Sequence, residues 1–371
     1  MQQQLDQKFT SQTKINVQTN QQSQHLRASW KEIIPYFFPT MIIVIGFVFE
    51  RYLNNVLFPL WIAYAIVPIL DYILPHDNYN LPEEKLRVYE KDERFLIPIY
   101  SAWAADFLIY FYALYLFSTD QVPNSIPMFL LYCYLMANCG GLNLVLGHEL
   151  VHRKQLIHKI LGNLVYAKMT WDLEKTRLEK EGRSAYSLRN KLIFWNLLHV
   201  LHVSLIYVFL GPKATMFQII YSVMNTLIFE AINYIEHYGL QRKQDQNGIY
   251  ESVNITHSWN APQVASNYML IKLQRHSDHH ANSYKPYQIL ESLPASPNLP
   301  FGYTGCLIMC YFPKIWFKVM DPYVDSINKG EKLDEKVKKE LDTWIFGTLC
   351  TIALFVTYVT FFVLGFEIRN I

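Results

Sequence analysis

Apolar residues in this chain come in long runs rather than in the short alternations of a soluble domain. Ile33–Phe49, Val56–Leu74, Phe95–Phe117, Ile126–Gly147, Leu192–Leu210 and Ala214–Ile235 each approach the length of about 20 residues that a helix needs to cross a bilayer. The first and fifth lie near the short limit. Trp344–Phe366 is a candidate seventh span. Trp and Tyr flank several of the runs, as an interfacial belt does. Pro35, Pro39, Pro59, Pro68 and Pro98 fall near run ends or at kinks, where membrane helices tolerate them. Residues 1–29 are polar and glutamine-rich without an apolar period, which predicts a disordered tail. The charged stretch Trp171–Asn190 predicts a solvated or interfacial helix as far as Gly182, with Glu174 set to pair with Arg177 or Lys180. Phe301–Met320 is apolar but broken by Gly302, Gly305 and Pro313, and is expected to lie on the membrane surface.

The pattern predicts an all-α membrane protein of about six transmembrane helices. It divides into a tail (1–29), a membrane-embedded domain (30–330), and a linker with a C-terminal apolar span (331–371).

Composition agrees with this reading. The 371 residues are 51% hydrophobic and only 17% charged, where a soluble chain carries about 25% charged residues. A net charge of +2 implies no polyanionic partner, so nucleic acid is not expected. The five cysteines form no C-x-x-C pair and read as packing residues. Lys and Arg concentrate in the tail, in the 75–94 loop and between His148 and Lys191, whereas Ser118–Ser125 has none. The basic segments are therefore expected on the cytoplasmic side. That side also receives three histidine motifs, which predicts a histidine-rich cap.

The first motif, His148-Glu149-Leu150-Val151-His152, ends the fourth run. Histidines at i and i+4 share one helical face and can grip one metal. The same spacing is the signature of zinc metalloproteases, with Glu149 as general base, so a membrane zinc protease is one reading. The second motif, Asn233 to Gly239, ends the sixth run and carries His237 beside Glu236. The third, Leu273-Gln274-Arg275-His276-Ser277-Asp278-His279-His280, places three imidazoles within five residues. His148, His152, His237, His276, His279 and His280 exceed what one catalytic zinc uses, and suit a two-iron site open to dioxygen. Glu149, Glu236 and Asp278 are candidate substitute ligands or supporting groups. His199 and His202 are expected to pack or hydrogen-bond between helices. His158 and His257 carry no convergent signal.

NYIEHYGLQR, HSWNAP, LQRHSDHH, the loop DYILPHDNYNLPEE, and PNLPFGY followed by MDPYV resemble the signature stretches of membrane alkane 1-monooxygenases. These belong to the integral-membrane di-iron class that includes fatty-acid desaturases. The resemblance runs from about residue 35 to 325. It implies two non-haem irons in a cytoplasmic cap, a hydrophobic substrate channel, and terminal hydroxylation of alkanes. It also implies electrons from a rubredoxin-type donor and its reductase. The membrane is expected to be the endoplasmic reticulum in a eukaryotic host and the inner membrane in a bacterial one. In one respect the chain departs from the family. A further histidine motif, of the type E-H-N-x-G-H-H, belongs between the first motif and the polar helix. Here Thr170 runs directly into Trp171, so about forty residues and three implied ligands are absent. Beside the hydroxylase, a fatty-acyl desaturase or hydroxylase, the zinc protease and an inactive truncated isoform remain open.

Overall fold

The computed structural model describes residues 27–122, 125–165, 177–184, 186–187 and 189–366. Most of the expected tail, Glu174 and the Thr170–Trp171 junction lie outside the described residues. The fold is all-α: among the described residues the only extended pairing is two isolated bridges. The elements are α1 (Trp30–Leu53), α2 (Phe58–Ile73), α3 (Glu83–Glu90), α4 (Leu96–Ser118), α5 (Ile126–His152) and α6 (Leu156–Val165). They continue as α7 (Lys191–His237), α8 (Val264–Met269), α9 (His276–Ala281), α10 (Tyr303–Cys310), α11 (Pro313–Lys329) and α12 (Glu335–Leu364).

Five helices are long and apolar enough to cross a membrane: α1, α4, α5, α7 and α12. Large apolar side chains such as Leu108, Phe111, Val208, Phe209, Leu354 and Phe362 point outward and are exposed. A soluble protein does not tolerate so much exposed apolar surface, and a bilayer accounts for it. This is an integral membrane protein.

The fifth and sixth predicted spans are the two arms of α7, which is not a straight rod. Gly211 takes φ +82°, a conformation open to glycine, and Pro212 removes the next backbone donor. The arms lie side by side. Tyr110 of α4 bonds both His202 of the first arm (2.8 Å) and Gln218 of the second (2.5 Å). His202 thus serves helix packing. Lys213 at the tip meets Asp120 (2.8 Å) at the end of the bundle far from His237. The second predicted span, α2, rises only about 24 Å, short of the roughly 30 Å hydrocarbon core. It contains a π-helical turn at Ile62–Ile66, of the kind that recurs at functional sites.

The C-terminal helix α12 packs into the bundle against α2. Trp61 donates to Thr357 Oγ1 (2.9 Å), and Asn55 Nδ2 donates to the carbonyls of Thr360 and Gly365 (2.8 Å each). The predicted division at residue 330 marks a change in sequence, and packing continues across it. Asn55 is fully buried. Asn55→Leu strands two carbonyls and is expected to cost about 1–3 kcal/mol. A lower midpoint of thermal unfolding in detergent, with earlier proteolysis of α12, checks this.

The first part of the segment expected on the membrane surface is buried instead, while Tyr311, Phe312, Pro313, Lys314, Phe317 and Lys318 are exposed. All of α10 from Tyr303 to Met309 is buried. Gly302 is there because nothing larger fits: a β-carbon would meet Asp71 Oδ2 at 2.3 Å and Ser266 Oγ at 2.7 Å. The glycine signals close packing.

Candidate metal centre

Helix phase sorts the six histidines. In α9, His276 and His280 are i, i+4 and share a face, while His279 points about 100° away from its neighbour His280. In α5, His148 and His152 share a face for the same reason. The fold brings these faces together as two triads, His148–His152–His279 and His237–His276–His280, each with its ligating atoms within 4.8 Å of one another.

In the first triad, His148 Nε2 stands 2.7 Å from His279 Nε2 and 3.2 Å from His152 Nε2. Two nitrogens bound about 2.0–2.1 Å from one ion stand about 2.9–3.4 Å apart at ordinary coordination angles. The triad has the dimensions of a ligand set. In the second, His237 Nδ1 donates to the His257 carbonyl (3.0 Å), which fixes the tautomer and aims Nε2 at the triad. His257 is thus a supporting residue whose role comes from its backbone. Its side chain, bonded to Glu251 (3.2 Å) and the Asn254 N–H (3.0 Å), shapes the loop. Asn260 of the same stretch accepts from Ser277 N (2.9 Å) and Ser277 Oγ (2.6 Å), tying down the start of α9.

Burial, and after it the neighbouring imidazoles, pushes His276 well below its ordinary pKa, His279 down to about 2 and His280 to about 4. These rings are neutral at pH 7, the form that binds metal. Among the described residues neither ring nitrogen of His276 has a hydrogen-bond partner, nor does His279 Nδ1. Leaving buried polar atoms unmet costs about 1–3 kcal/mol each. An ion held by the second triad supplies a partner to one nitrogen of His276, and both triads have ligating atoms close enough to share an ion, so the residues present fit a pair of metal ions.

The three candidate carboxylates separate. Glu149 is paired with Arg153 (2.7 Å) and accepts from Tyr287 N (3.3 Å), so it ties the 287–289 turn to α5. That engagement occupies one carboxylate oxygen with a cation and a backbone N–H. Asp278 accepts from Asn282, Lys285 and the Glu291 N–H, at 2.7–3.1 Å, and holds the loop after α9. Glu236 faces the second triad, with Oε2 3.3 Å from His276 Nε2. His158, bonded to Tyr100, lies in neither triad.

The second triad and His148 close one end of an apolar cavity of about 210 Å³. Its wall includes Leu60, Ala63, Leu135, Leu142, Val145, Ile228, Ile232, Leu273 and Leu307. The small residues of α5 divide: Asn138 and Gly141 line the cavity, while Gly140 lies against Tyr221 and Asn143 donates to Asp106 (2.7 Å).

The chain is 30% identical over 327 residues to alkane 1-monooxygenase 2 of Alcanivorax borkumensis, covering 73% of this chain and 84% of that protein. It belongs to the alkane 1-monooxygenases. Alkane 1-monooxygenase 1 of Pseudomonas aeruginosa is 42% identical over 163 residues, 44% of this chain and 42% of the relative. The hydroxylase component XylM of a xylene/toluene monooxygenase from Pseudomonas putida is 25% identical over 148 residues, 40% of this chain and 38% of that one. The sequence model of the fatty acid desaturase family matches residues 166–306. As a member of the alkane 1-monooxygenases this protein is a membrane oxidoreductase.

Proposed function

We infer that this chain is a di-iron hydroxylase of the terminal carbon of alkanes, using dioxygen and electrons from a rubredoxin-type donor and its reductase. The observation that carries this reading is the cavity: apolar along its wall, with imidazoles from both triads at one end. His148, His152 and His279 hold one ion, and His237, His276 and His280 the other. Iron bound there supplies the oxidising chemistry toward dioxygen and a C–H bond.

The chain's own residues do the rest. Leu142, Val145, Ile228 and Ile232 confine a hydrocarbon and keep water from the reacting end. The His257 carbonyl holds His237 in register. Among the described residues lining the cavity there is no Lys or Arg to pair with a carboxylate headgroup. That favours a hydrocarbon over a free fatty acid, whereas the desaturase-family match supports an acyl chain as the second reading.

The test is oxidation of octane or hexadecane by iron-loaded protein with dioxygen, rubredoxin and rubredoxin reductase. A primary alcohol is expected. A double bond or internal alcohol from an acyl chain would establish the second reading, and no product with either substrate would mark an inactive isoform. Leu142→Trp is expected to leave iron content unchanged and to lower turnover of long substrates relative to short ones by about 10-fold or more. Product ratios from mixed alkanes read this directly.

A further inference from the structure

We propose that Glu236 completes the His237–His276–His280 triad as a carboxylate ligand, so that the two metal positions are chemically unequal. This rests on the reading of the triads as a metal pair and names the composition of one half.

Glu236 is 2% exposed at the end of α7, beside His237. Its Oε1 has no hydrogen-bond partner among the described residues, and its Oε2 stands 3.3 Å from His276 Nε2. It lines the cavity together with His237, His276 and His280. A buried carboxylate without a cation is costly. Arg153 neutralises Glu149 and Lys285 neutralises Asp278. For Glu236 no Lys or Arg partner is found among the described residues, and an imidazole of the triad stands 3.3 Å from its Oε2.

Charge balance gives the same answer from the metal's side. Six neutral imidazoles leave two divalent ions uncompensated in a buried site. A cation at the second triad and the carboxylate of Glu236 remove each other's burial cost. Among the described residues the first triad has no such free carboxylate, Glu149 being paired with Arg153. The second position is therefore a three-histidine, one-carboxylate site and the first a three-histidine site. The carboxylate-bearing position fills first.

Cobalt(II) is the probe, added anaerobically to metal-free full-length protein in detergent and followed by its ligand-field absorption. Wild type is expected to bind two ions in two separable events. Glu236→Gln keeps the shape and removes the charge. It is expected to weaken the tighter event by about 10-fold or more and to leave the weaker one in place. His280→Ala is expected to strike the same event. X-ray absorption at one equivalent of cobalt on wild type gives an independent reading, with three imidazoles and one carboxylate oxygen expected. Two ions bound with unchanged affinities in Glu236→Gln would overturn the role of Glu236 and leave the metal pair standing. So would a nitrogen-only environment at one equivalent. No cobalt bound to wild type would overturn both.

Discussion

His276→Ala is expected to abolish alkane oxidation, by at least about 100-fold, while the metal-free protein unfolds at the same temperature as wild type or a higher one. The two halves follow from one observation. Neither nitrogen of this buried ring has a well-formed hydrogen bond among the described residues, Glu236 Oε2 standing 3.3 Å from Nε2. In the metal-free protein the ring therefore recovers little of its lost hydration, about 1–3 kcal/mol. Deleting it leaves a small cavity of comparable cost, so the net change is near zero. With metal the balance reverses, because a ligand is gone. Loss of a supporting partner of a ligand alone costs about 10–100-fold. A structural histidine would behave the opposite way, losing stability with or without metal. Melting temperatures with and without added iron, beside turnover of octane, decide the matter. Unchanged turnover would remove His276 from the site.

Such divergence between stability and function marks residues selected for chemistry, and here much of it was legible in the sequence. The i, i+4 spacing of His148 and His152, and of His276 and His280, already says which imidazoles share a face. Which face meets which was not legible. His148 and His279 are 131 residues apart and His237 and His276 are 39 apart, and only tertiary packing decides those pairings. The three acidic candidates looked alike for the same reason. Glu149 is distinguished by its contact with Tyr287, 138 residues on, as much as by the nearby Arg153. The apolar runs that form α1, α4, α5 and the two arms of α7 were readable from length and apolar content, including the break at Gly211-Pro212 that folds α7 back on itself, whereas the second run forms α2, shorter than a span. The buried helix α10 was misread because glycine and proline serve equally at a surface break and in a tight contact. Only the proximity of Asp71 and Ser266 tells which applies at Gly302.

The second large effect is expected at a residue that holds no metal. Arg275→Leu is expected to cost about 3–5 kcal/mol of stability, a large share of the roughly 5–15 kcal/mol that keeps a typical domain folded. Arg275 immediately precedes α9 and is 3% exposed. Its guanidinium is paired with Asp77 (3.0 Å). It also donates to the carbonyls of Leu290 (2.6 Å), Tyr79 (2.9 Å) and Asp77 (3.2 Å), and to Asn80 Oδ1 (3.3 Å). These acceptors lie on two segments about 200 residues apart in sequence, the loop after α2 and the turn after α9. Leucine leaves Asp77 without its cation and three carbonyls short of a donor. Lysine restores the charge at Asp77 but lacks the planar fork that reaches several acceptors at once. Arg275→Lys is therefore expected to fall between wild type and Arg275→Leu. Because the loop and α9 are held together through this one group, metal affinity at the triads is expected to fall in the same order. Thermal unfolding and cobalt titration of the three proteins test both. If Arg275→Leu melts with wild type, the clamp is not what holds the cap to the membrane bundle. If the leucine protein is less stable yet binds cobalt as wild type does, Arg275 supports the fold without positioning the histidines that follow it.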